Sequence, residues 1–153
     1  MKDMDIILDI YGPVYDQIYF ELCKAETRKL PGTILVNFKG PVQPAELEQM
    51  ITKYHFLLFP STGENFGHAI YESLSVGVPA IISDRTPWRN LAASSAGWDL
   101  LLGDKDKWTA AILRKCYDMD QEEYNALCNG VHSLAKKYVE ESDFIEKYER
   151  LFG

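Results

Sequence analysis

With 153 residues, 46% of them hydrophobic and 25% charged, the chain has the size and balance of a single soluble globular domain, one able to bury ~70% of its unfolded surface. Disordered and collagen-like classes are excluded. A net charge of −7 and a pI near 4.9 remove the general field that would attract nucleic acid or an anionic membrane.

A small anionic ligand would therefore have to be held locally, by backbone dipoles. The three cysteines, Cys23, Cys116 and Cys128, are odd in number and form no CxxC pair, which argues against a disulfide scaffold or a zinc site and suggests a reducing compartment. Buried thiols are the expectation. The amino-terminal "MKDMDIILDIYG" becomes charged too soon for a signal peptide, and no apolar run approaches the ~20 residues of a membrane span. These features point to a cytoplasmic protein.

In chain order, short apolar runs alternate with helical patterns. "DIILDIYG" (5–12), "TILVNF" (33–38), "HFLLFP" (55–60) and "VPAIIS" (78–83) suit strands buried on both faces of a parallel sheet. Between them, "DQIYFELCKAETRKL", "PAELEQMITKY" and "FGHAIYESLSV" carry apolar residues at three- and four-residue spacing. Pro44 suits a helix first turn, with Glu46 and Glu48 near its positive end. A fifth strand is expected at "GWDLLL" (97–102), then helices over 107–117, 121–139 and 142–152.

This order predicts an α/β fold, a Rossmann-like doubly wound parallel sheet flanked by helices, and one domain over 1–153. Right-handed crossovers then put every strand's carboxyl end on one edge, where such sheets bind ligands. The loops at Gly12-Pro13, Gly40-Pro41, Ser61 to Asn65 and Asp84 to Trp88 all start there.

On that edge stands "FPSTGENFGHAIYESLSVGVPAIISDRTPW", in which seven residues separate Glu64 from Glu72. A helix beginning near Asn65 or Phe66 would leave its first N–H groups free to cradle a phosphate without any lysine. On a helical wheel Phe66, Ala69, Ile70, Ser73 and Gly77 face the core, while Glu72 flanks them on the His68 side. Eight helical residues cover ~12 Å, comparable to the reach from a sugar across a diphosphate to a ribose. Carboxylates suit hydroxyl-bearing ends and backbone N–H groups suit the charged middle. The plainer alternatives are that Glu64 only complements the helix dipole and Glu72 is a solvated helix residue.

The whole segment closely resembles the E-x7-E region of retaining glycosyltransferases of the GT-B fold, glycosyltransferase group 1 (family 4). "LDIYGPVYD", "VNFKGPVQPAEL", "GWDLLLGDKDKW" and "YERLFG" are similar to other parts of that family's carboxyl-terminal, donor-binding domain. The resemblance implies that Glu64 meets the donor sugar closest to the reacting carbon, that the N–H groups of Asn65, Phe66 and Gly67 meet sugar or diphosphate, and that Glu72 holds the ribose. It places Gly40, Val42 and Gln43 beside the nucleotide base and Gly12 at the first turn, where Gly12-Pro13-Val14 replaces the family's frequent Gly-x-Gly.

It further implies a UDP- or GDP-sugar donor, no metal, transfer of a hexosyl-type group to a saccharide or lipid-linked acceptor with retention of configuration, and a place in bacterial polysaccharide or cell-envelope synthesis. The family's diphosphate-binding Arg and Lys precede the first strand, where Lys2 cannot be assigned that role. The amino-terminal acceptor domain is not in this sequence, so the chain is expected to work with that domain, in the same or another chain, and alone to transfer little sugar. Its abrupt start suggests a fragment. The rival from another class is a non-catalytic nucleotide-sugar-binding module, or a subunit needing a separate acceptor-domain chain.

Other residues also invite roles. His55 and His132 are expected to be structural, and His68 lies beside the phosphate site. Asp84 and Arg85 either touch ligand or pair with each other, Thr86 and Pro87 shape their loop, and Trp88 packs.

Overall fold

Ten helices and strands follow one another in the computed structural model, which describes residues 6–141, if the short π-helical stretch after the fourth helix is left aside. They form two compact units, the first ending at Leu47 and the second starting at Glu48. All described strands are parallel and the fold class is α/β, with open sheets flanked by helices. Hydrogen bonding gathers the strands into a pair and a trio, where the sequence pattern suggested one sheet.

In the first unit β1 (Ile6–Tyr11) pairs with β2 (Ile34–Gly40), joined by α1 (Gln17–Thr27). The register runs from Ile6 opposite Ile34 to Ile10 opposite Phe38, then shifts so that Tyr11 faces Gly40. Asp16 caps α1 by accepting the Tyr19 N–H at 2.9 Å, satisfying one of the donors a helix start leaves open. Phe20 lies edge-on to Phe38 with ring centroids 4.9 Å apart, which seats the helix on its strand pair. The unit boundary falls within α2 (Pro44–Ile51).

The second unit carries the main core. Its sheet has the order β3 (Leu57–Phe59), β4 (Ala80–Ser83), β5 (Gly97–Leu100). All four residues of the central β4 are buried, as its unbroken apolar run requires of a strand covered on both faces. Helix α3 (His68–Ser75) packs on β3 and β4 and against α5 (Gln121–Glu141). Ile70 and Leu74 of α3 meet Ile82, Leu91 and Val131 in one fully buried cluster. Each such aliphatic side chain contributes ~1.5–3 kcal/mol.

Leu74 belongs to that core, whereas the expected stripe passed through Ala69, which is only half-buried. Ile70, Ser73 and Gly77 of the expected stripe are buried, and Leu74, four residues beyond Ile70, shares their face. Gly97 opens β5 at a φ of 130°, and a Cβ there would stand 1.8 Å from the Ala80 carbonyl oxygen. Only glycine lets the two strands approach this closely.

The helix expected over 107–117 starts earlier, as α4 (Lys105–Thr109), because Asp104 caps it by accepting the Lys107 N–H at 3.0 Å. It then widens into a π-helical stretch, Ala110–Cys116. His55 packs edge-on to Tyr124, whose hydroxyl donates to the His55 carbonyl oxygen at 3.1 Å, and His132 stands against Gly77. Both therefore serve the packing of α5. The expected helix over 142–152 lies outside the described residues, as does Lys2.

Candidate active site

The site is assembled where two loops leave the same edge of the second unit's sheet. The first, after β3, carries Ser61 to Gly67 into α3; the second, after β4, carries Asp84 to Trp88. Because β3 and β4 are parallel neighbours, with Phe59 opposite Ile82, both loops emerge side by side. Three hydrogen bonds then join them. The Ser83 hydroxyl donates to the Ser61 carbonyl oxygen, the Glu64 N–H donates to the Arg85 carbonyl oxygen at 3.2 Å, and the Trp88 indole N–H donates to the Phe66 carbonyl oxygen at 2.9 Å.

Within the first loop the Ser61 hydroxyl accepts the Gly63 N–H at 3.2 Å and lies 3.0 Å from the Gly63 carbonyl and 3.2 Å from a Glu64 carboxylate oxygen. Its single proton serves one of those acceptors at a time. Glu64 is thereby steered while remaining exposed. In the second loop the Arg85 N–H donates to the Ser83 hydroxyl at 3.3 Å, and buried Thr86 bonds across the turn to Ser83 and Trp88.

Helix α3 starts at His68, later than expected, because Gly67 is its N-cap, with φ 77° and ψ 57° in the left-handed region. The Gly67 carbonyl accepts the N–H groups of Ile70 and Tyr71 at 2.9 and 3.1 Å, and no side chain caps the helix. A Cβ on Gly67 would lie 3.0 Å from Ile70 Cδ1 and 3.4 Å from the Trp88 indole. Asn65 and Phe66 thus precede the helix, and the donors that its dipole endows begin one residue further on.

Behind this start lies an aromatic buttress. Trp88, only 4% exposed, stacks on Tyr138 of α5 with ring centroids 4.4 Å apart, and Tyr138 also reaches Phe66 at 5.9 Å. Phe66 in turn lies 4.5 Å from the His68 ring.

In front of it opens a depression of about 630 Å³, lined by Gly63 to His68 and by Arg85. Four expected residues, Glu64, Asn65, Phe66 and Gly67, meet here with His68. Arg85, expected either to touch ligand or to pair with Asp84, lines the depression and lies 3.6 Å from an Asp84 oxygen. Its place at a strand's carboxyl end was the available signal.

Glu72 is not among the lining residues. It is half-buried on α3, one turn beyond His68. Burial pushes its carboxyl above the ordinary range; the His68 charge opposes that shift and the Glu48 carboxylate adds to it. A carboxylate held this way is under strain from desolvation until hydrogen-bond donors reach it.

Gly12, Gly40, Val42 and Gln43 belong to the first unit. There the Gly12 N–H donates to the Gly40 carbonyl at 2.9 Å, joining the ends of β1 and β2, and the Gln43 carbonyl accepts the Glu46 N–H at 2.9 Å at the start of α2.

The family described as glycosyl transferases group 1 matches residues 1–112, a span that contains both loops and both glutamates. The chain belongs to this family. A search of curated proteins found no match. Membership assigns this group 1 glycosyltransferase to glycosyl transfer, with a nucleotide-sugar donor and an acceptor as its reactants. Among the described residues of the glycosyltransferase no group of three or more His, Cys, Asp or Glu gathers as metal ligands, and no helix is long and apolar enough to cross a membrane.

Proposed function

We propose that the chain is the donor-binding, carboxyl-terminal domain of a retaining GT-B glycosyltransferase of family 4. It takes a UDP- or GDP-sugar and passes a hexosyl-type group to a saccharide or lipid-linked acceptor, in bacterial polysaccharide or cell-envelope synthesis. The observation that supports this best is the depression in which the Glu64 carboxylate stands beside the open start of α3.

Glu64 accepts the sugar hydroxyls next to the reacting carbon. The N–H groups of Asn65, Phe66 and Gly67, with those of the first helical turn, meet the sugar and the diphosphate, whose growing negative charge they stabilise as the glycosidic bond breaks. Glu72 accepts the ribose hydroxyls, which replace the water its partial burial has removed. Gly12 lies along the diphosphate, and Gly40, Val42 and Gln43 contact the base. The chemistry runs without a metal.

An acceptor-binding domain, in the same chain or another, completes the cleft, and the assembly works in the cytoplasm at the inner face of the membrane. Without it water enters and the leaving charge is only half compensated, so residues 1–153 form a single donor domain with little turnover of its own.

The test is ligand-detected NMR of the chain with UDP, GDP, CDP and ADP, repeated on Glu72→Ala. One diphosphate binds and weakens severalfold in the variant. Binding of none of the four to a folded sample overturns the assignment.

A further inference from the structure

Net charge works against any anion approaching this chain, yet one permanent cation stands in the depression. Of the residues lining it, Arg85 is the one that carries a positive charge at every working pH. Its loop cannot drift from the helix start, because the Arg85 carbonyl accepts the Glu64 N–H and the Arg85 N–H bonds the Ser83 hydroxyl.

Its guanidinium is weakly engaged. The ion pair it makes among the described residues is with Asp84, at 3.6 Å, beyond normal hydrogen-bond length. The Asp84 oxygen concerned already accepts the Leu102 N–H at 2.8 Å, so its lone pairs are partly spent on holding the β5 exit. Arg85 is itself exposed, and such a pair in water contributes little. The fork of donors is left available to a ligand.

Resting on the donor-site assignment above, we propose that Arg85 is the anion-binding side chain of this site, taking the diphosphate of the donor in a charge-assisted, two-pronged contact opposite the N–H groups of α3. Guanidinium geometry matches two phosphate oxygens at once. Backbone dipoles on one wall and a fixed cation on the other neutralise a leaving group whose charge grows during transfer. Arg85 then discriminates diphosphates from uncharged nucleosides, while the glutamates discriminate the sugars.

Calorimetric titration with inorganic pyrophosphate, on the wild-type chain, Arg85→Gln, Arg85→Lys and Arg89→Gln, tests the assignment. Arg89 is exposed four residues further along and does not line the depression, so its replacement changes net charge equally. Pyrophosphate affinity falls about tenfold or more in Arg85→Gln, recovers in part in Arg85→Lys, and changes less than about twofold in Arg89→Gln. Equal losses in the two glutamine variants, no loss in Arg85→Gln, or no pyrophosphate binding to folded wild type would each overturn the proposal. The donor-site assignment fails separately. Nucleoside diphosphates binding no tighter than pyrophosphate, and indifferent to Glu72→Ala, would remove the nucleotide while leaving the Arg85 anion site standing.

Discussion

The indole N–H of Trp88 donates to the carbonyl oxygen of Phe66 across 2.9 Å, tying the loop after β4 to the last residue before the N-cap of α3. Trp88→Phe would keep an aromatic ring against Tyr138 and delete that donor. A loss of about 1 kcal/mol is expected, read as a lower melting temperature, together with weaker nucleotide binding. Unchanged stability would mean that the ring alone holds the loop.

Tyr138 is the outer support of the same arrangement, stacked at 4.4 Å on Trp88. Tyr138→Ala is expected to cost about 2 kcal/mol and to accelerate amide exchange in residues 63–68 more than in β4. Hydrogen exchange by mass spectrometry checks this, and uniform acceleration across the second unit would show ordinary global destabilisation instead.

Two glycines of the first loop should answer differently to a methyl group. Gly67→Ala forces an alanine to a φ of 77° and brings its Cβ within 3.0 Å of Ile70, a combination expected to cost about 1–3 kcal/mol. At Gly63 a Cβ meets nothing within 4 Å, so Gly63→Ala should stay within about 0.5 kcal/mol of wild type. Urea denaturation of both variants supplies the comparison.

The raised Glu72 carboxyl predicts a particular pH dependence. With a folded pKa above the unfolded value near 4.5, its ionised form opposes folding once pH exceeds the folded value, and the opposition fades as pH falls toward 4.5. Glu72→Gln is therefore expected to be more stable than wild type near neutrality and no more stable below about pH 4.5. On the proposed assignment of Glu72 to the ribose, nucleoside diphosphate binding by wild type should also begin to fail, as pH falls, at a pH above 4.5, when that carboxyl takes a proton. Denaturation midpoints across pH 4 to 8 decide the first point, and a gain that persists at low pH would exclude this cause.

The strands were legible because each is a short apolar run closed by turn residues; β4 of the structure lies inside the expected 78–83. The start of α3 was not. Its cap is a glycine in the left-handed region with no side-chain hydrogen bond, so the Ser, Thr, Asp or Asn that usually announces a helix start is missing from the local sequence. Leu74 was legible by contrast, since it stands four residues beyond Ile70 on the same face, and the expected stripe passed it over.

Glu64 could be placed from its spacing, since a loop residue before a helix on a strand's carboxyl edge has few places to go. Arg85 could not be ranked above its pairing with Asp84, because its position in the depression follows from bonds between loops 21 residues apart, Glu64 to Arg85. Tertiary pairing of that kind leaves no periodic trace.

The bonds from Glu64 to Arg85, Phe66 to Trp88 and Ser61 to Ser83 also bear on how the proposed donor site can be re-engineered. Neither loop owns its own backbone conformation, so a segment transplanted alone from a relative would arrive without the surface that shapes it. Residues 61–67 and 83–88 form one heritable cassette, and a chimera that keeps its fold would exchange both together.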